Sequence, residues 1–191
     1  MCVLLISVAQ DAATVANVCD HVEHNEHADI SDVRVAASRL RTAGIALAVQ
    51  FELDPVGLYR NRLVAVERRN VLFDPDLFDA AGAVPTDATW AQLQRVQIAH
   101  DRAYHPDVLG MPKLEQLRHY ALHVAKLAGA IASTLDGSVA PEDLARRRLP
   151  DCLIFGIKLS TVTGERLADE RLSAAPADNR LVGPLLTSAL G

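Results

Sequence analysis

The sequence of 191 residues has few cysteines, few lysines and no concentrated basic field. Cys2, Cys19 and Cys152 are scattered with no CxxC spacing, which excludes a disulfide framework and fits a cytoplasmic protein. Net charge is -5, so duplex nucleic acid is not an expected partner, since phosphate contacts need clustered cations. Arg146, Arg147 and Arg148 form the one dense basic run and read as a solvated helix face. The apolar opening MCVLLISVA lacks a basic leader and falls short of the roughly 20 residues a membrane span needs. It reads as the start of a core helix, with no membrane partner expected.

Half of the residues are hydrophobic, ample for a core, and their spacing is helical. Leu4, Val8, Ala12, Val15 and Cys19 form one stripe, and Val33, Ala36, Ala37, Leu40, Ala43 and Leu47 a second. Asp54 and Pro55 start a third helix, running to about Asn70. It is expected to bury Leu58, Tyr59 and Leu63 and to expose Arg60, Arg62, Glu67, Arg68 and Arg69. Thr89 or Thr86 caps a helix from Trp90 to Tyr104, ended by Pro106. The apolar run after Leu149 has no second strand-like run to pair with, so a buried helix is expected.

The longest helical stretch, Lys113 to Asp136, carries two stripes. Leu114, Leu117, Ala121, Val124, Ala128 and Ile131 form a core face, while Gln116, His119, His123 and Lys126 point roughly 150° away. The sequence therefore predicts an all-α helical bundle. Its expected parts are an N-terminal half 1–70, a linker 71–89, a C-terminal half 90–172 and a tail 173–191 in one compact unit. The two halves align without a gap from Ser7 to Asp20 over His123 to Asp136. Further on, Asp32 falls on Asp151, Arg39 on Lys158 and Leu40 on Leu159. Duplication of a helical hairpin accounts for this, because one hairpin cannot bury its own apolar faces; alanine-rich amphipathic helices also align this well by chance.

The segments LQRVQIAHDRAYHPDVL, KLEQLRHYALHVAKLAGAI, EHADISDVRVAASRLRTAGIALA and LPDCLIFGIKLSTVTGERL resemble the helices of MazG-like all-α nucleotide pyrophosphohydrolases. The likeness implies a helical bundle, often a homodimer, that hydrolyses nucleoside triphosphates with magnesium held by an ExxE pair and an acidic ExxD pair. Here the ExxE slots hold His123 and Lys126 in one half and Ser7 and Gln10 in the other. Of the acidic pair, Asp151 remains, with Arg148 three residues before it; in the first half Asp29 and Asp32 keep an acidic i, i+3 pair.

Three functional readings follow. The first is a non-catalytic or diverged module for binding a small molecule, such as a nucleotide, or for dimerisation. The second is a pyrophosphohydrolase in which Asp29, Asp32 and Asp151 bind magnesium or manganese and His119 and His123 act at the phosphate. The third is a phosphohydrolase with zinc or iron on His119 and His123, completed by His100, His105 or Asp151. The His100-Asp101 dipeptide is similar to that of metal-dependent phosphohydrolases of the HD type. Each group also has a plain structural reading: Asp29, Asp32 and Asp151 start helices, and the histidines between His21 and His27 sit in a polar connection.

Overall fold

A computed structural model of the chain describes residues 2–70 and 79–172; the expected tail 173–191 and residues 71–78 of the expected linker lie outside the described residues. Among the described residues the protein is all-α, with eight helices and no strand, only an isolated bridge between Thr89 and Arg171. The helices are α1 (Cys2–Glu23), α2 (Ile30–Gln50), α3 (Pro55–Asn70), α4 (Trp90–Tyr104), α5 (Pro106–Leu109), α6 (Lys113–Leu135), α7 (Pro141–Arg147) and α8 (Leu149–Val162). Their starts follow local chemistry. The Asp29 carboxylate accepts the Ser31 N–H at 2.8 Å, and Thr89 and Gln92 form a reciprocal capping box on α4.

The α1–α2 hairpin packs on the α6–α8 pair, α1 against α6 and α2 against α8. Both pairings are antiparallel. Glu23 at the end of α1 meets Arg118 near the start of α6; Arg34 near the start of α2 bonds the Thr163 carbonyl after α8. Val8, Val15, Leu40, Val124, Ile131 and Leu159 meet in this four-helix core. A second cluster, built from Tyr59, Leu63, Leu93, Leu153 and Ile157, fills the opposite side of α8, where α3 and α4 lie.

Twelve of the fourteen residues of α8 are buried, so α8 is the spine of the molecule. The sequence draws the eye to α6 instead, but α6 keeps an exposed face, with Leu122 65% exposed. The linker is also more structured than expected: Ala81, Val84 and Ala88 belong to the second cluster. Glu67, expected on the surface, is buried and accepts the Ala81 N–H at 2.9 Å. The apolar opening extends beyond Ala9, and Val3–Glu23 is long and apolar enough to cross a membrane by length and composition. Here Leu4, Val8, Ala12, Val15 and Cys19 place that helix in the core, beside a buried Asp11.

The α2–α8 crossing depends on Gly156. A Cβ there would lie 2.9 Å from the Ala37 carbonyl oxygen, 3.2 Å from the Arg41 nitrogen and 2.6 Å from Arg41 Cγ, and the two backbone atoms cannot yield without parting the helices. A Cβ at Gly129, on the exposed face of α6, would meet nothing among the described residues within 4 Å. Gly156→Ala is therefore expected to cost about 1–3 kcal/mol. Gly129→Ala is expected to stabilise by roughly 0.5–1 kcal/mol through helix propensity alone. Urea unfolding checks the opposed signs; a shift in the same direction for both would refute the close crossing.

Candidate functional site

The second side of α8 does not close completely. A cavity of about 300 Å³ opens between α3, α4, α6 and α8, and the helix periods decide what faces it. From α6 come His119 and His123, one turn apart with ring centroids at 4.7 Å. His123 also stacks on Phe155 of α8 at 4.7 Å. His100 comes from the last turn of α4 and His105 from its C-cap, with ring centroids 5.8 Å apart. Arg62 and Arg69 of α3 and Asp151 and Lys158 of α8 complete the polar lining.

Two buried ion pairs anchor this lining. Arg62 Nε donates to Asp151 Oδ1 at 2.6 Å and its Nη2 reaches Oδ2 at 3.4 Å, while Arg148 stands 3.9 Å from the same carboxylate. Burial raises the Asp151 carboxyl above its ordinary pKa despite Arg62. Behind the cavity wall, Lys158 Nζ lies 2.8 Å from Asp101 Oδ1, an oxygen that also accepts from Gln97 Nε2 at 2.9 Å. Tyr59 in turn donates to Gln97 Oε1 at 2.8 Å. Burial alone would raise the Asp101 carboxyl, but His100 and Lys158 together hold it below its ordinary value.

Burial works against protonation of three of these imidazoles. Burial, then neighbouring His119 and the cations Lys126 and Lys158, push His123 down to about 4. Burial and Lys158 also lower His119 and His105. His100 is 2% exposed, and among the described residues neither ring nitrogen has a good hydrogen bond; Nδ1 faces Asp101 Oδ1 at 3.5 Å, a long electrostatic approach.

Of the residues singled out from sequence, the structure gathers His119, His123 and Asp151 at one cavity and leaves Asp29 and Asp32 elsewhere. In the antiparallel α2–α8 pair, Gly44 faces Cys152 and Leu153 near the start of α8, whereas Arg34 reaches Thr163 beyond its end. Asp29 and Asp32, before and in the first turn of α2, are thus about 20 Å along the helix axis from Asp151, at 1.5 Å rise per residue. Both are exposed. The expected three-acid metal set does not assemble, because an antiparallel crossing sends helix starts to opposite ends. The histidines at 21 and 24 stay near solvent, His24 bonding the Asp20 carbonyl at 2.9 Å.

Arg62 was expected at the surface and instead clasps Asp151, with its side chain 22% exposed. Gln97, Arg69 and Lys158 are polar residues of the lining that sequence reasoning missed. For Gln97 the signal was present, since Gln97 and His100 share the apolar stripe of Leu93 and Tyr104 on α4, and a polar residue on a buried stripe must find a partner inside.

A magnesium ion asks for several hard carboxylate oxygens. Among the described residues the cavity presents one carboxylate, Asp151, with both oxygens engaged by Arg62, a donor set that does not fit magnesium or manganese. No family model, curated protein or solved structure matches the chain. The MazG-like resemblance therefore rests on the quoted helical segments.

Proposed function

We propose that the protein is a diverged, MazG-like helical-bundle module that binds a small anionic molecule, of the phosphorylated nucleotide class, in the α3–α4–α6–α8 cavity without magnesium-dependent hydrolysis. The observation that carries this reading is the Arg62–Asp151 clasp: the carboxylate a magnesium enzyme would offer its metal is already neutralised, and Arg69 adds a cation to the same lining. An imidazole N–H beside these arginines donates to a phosphate oxygen in either protonation state, and arginine matches phosphate in a bidentate manner.

Calorimetric titration with AMP, ADP, ATP and pyrophosphate in EDTA tests the proposal. Binding of at least one is expected without metal, weakened about tenfold in Arg69→Ala, which removes roughly 1.4 kcal/mol. Arg69 is exposed and donates to the Ala65 carbonyl of its own helix; circular dichroism of the variant checks that the helical content is unchanged. Absence of binding by all four would overturn the reading. Turnover of a nucleoside triphosphate with magnesium or manganese, abolished in Asp151→Asn, would replace it with the pyrophosphohydrolase.

A further inference from the structure

The corner between α4 and α5 holds a second, independent feature. His100, Asp101 and His105 each offer a ligand atom, and these three atoms lie within 4.8 Å of one another. The corner fixes their positions. The His105 N–H bonds the Asp101 carbonyl at 2.9 Å, and Pro106 then opens α5 with its own fixed φ. His100 and Asp101 are almost fully buried.

We propose that His100, Asp101 and His105 hold one divalent transition-metal ion of the zinc or iron(II) class, with the remaining coordination positions open to the cavity. Two imidazoles and one carboxylate form a donor set suited to those ions and unlike the all-oxygen set of magnesium.

His100 carries the argument. A buried imidazole whose Nε2 has no hydrogen bond among the described residues, and whose Nδ1 has only a 3.5 Å approach to Asp101, forfeits roughly 1–3 kcal/mol of solvation, and such a group in a folded protein calls for an ion or a water. Bond lengths near 2.0–2.1 Å put ligand atoms of a tetrahedral site about 3.4 Å apart.

The surroundings supply support of the kind metal ligands need. Gln97 orients Asp101 and is itself held by Tyr59. Lys158 competes for Asp101 Oδ1, but its ammonium also lies 5.8 and 5.7 Å from the centroids of Tyr120 and Phe155. It therefore has ring faces to turn to when a metal ion takes the carboxylate. His119 and His123 across the cavity leave the open positions lined by hydrogen-bonding groups, as at a site where water or an anion completes the coordination.

The test uses full-length protein without a histidine tag, stripped with chelator and titrated with zinc and with cobalt(II). One equivalent of each ion is expected, with the cobalt form showing the intense visible absorption of a four- or five-coordinate site. His105→Gln should weaken zinc binding on the order of 100-fold or more and abolish that absorption with the helical content unchanged. A second variant, His100→Gln, guards against a folding artefact at either position. His21→Ala with His24→Ala, on the exposed end of α1, should leave both readouts unchanged. Failure to take up an equivalent of either ion, or spectra unaltered in both corner variants, would overturn the proposal. Phosphate-ester binding in EDTA is read separately, so failure of the metal site does not mimic failure of the anion site.

Discussion

Lys158→Met is expected to destabilise the protein by about 3–5 kcal/mol, the usual cost of stranding one member of a buried ion pair. The side chains of Lys158 and Asp101 are 9% and 6% exposed, so water cannot replace the lost ammonium. Asp101 would keep Gln97 as a donor, but an amide does not neutralise a carboxylate held among the helices. Adding Asp101→Asn should recover much of the loss, because a neutral amide no longer needs the cation, and the interaction energy then follows from the double-mutant cycle. Urea unfolding of the four proteins, each stripped of metal with chelator, measures it. A loss below about 1 kcal/mol in Lys158→Met, or additive costs in the double variant, would show that the pair is not what secures the α4–α8 contact.

The same network marks the limit of what sequence could reveal. Helices were legible because apolar residues repeat at three and four, and the stripe Leu117–Val124–Ile131 enters the core as expected. The centrality of α8 was not, since a segment apolar on all sides carries no period to say which neighbours will cover it. Its contacts are fixed by Gly44 and Gly156, whose meaning emerges only once α2 lies across α8. The site was half legible: the spacing of His119 and His123 gave one wall, but the pairing of Arg62 with Asp151 spans 89 positions and leaves no local trace. Asp29 and Asp32 misled for a related reason, because an aspartate that starts a helix and one that binds metal look alike until the helix direction is known.

The Lys158–Asp101 pair can be compared with a second one, Arg39–Asp11. Each cation reaches a buried aspartate on a neighbouring helix, Lys158 to Asp101 on α4 and Arg39 to Asp11 on α1. The two pairs differ in balance. Lys158 and Asp101 are both enclosed, and the carboxyl is held low; Arg39 is 38% exposed whereas Asp11 is 1% exposed, so water screens the cation while the acid is fully desolvated.

That imbalance predicts stability that rises on mild acidification. Burial lifts the Asp11 carboxyl from 3.8 to about 6, against the opposing pull of Arg39, whose Nε donates to it at 2.7 Å. The folded state therefore binds this proton more tightly than the unfolded chain does. The stabilisation from Asp11 protonation is complete below about pH 3.8 and is lost as pH rises through about 6. At about 1.4 kcal/mol per pH unit, the change across the window is roughly 3 kcal/mol. Asp11→Asn removes the titration and leaves Arg39 free to turn into solvent. The stability of the native protein minus that of Asp11→Asn should thus fall between pH 4 and pH 7, whatever the other acids do to both proteins alike. Urea unfolding of the pair across that range is decisive: parallel profiles, or a difference that grows with pH, would mean that Arg39 fully compensates the buried carboxylate.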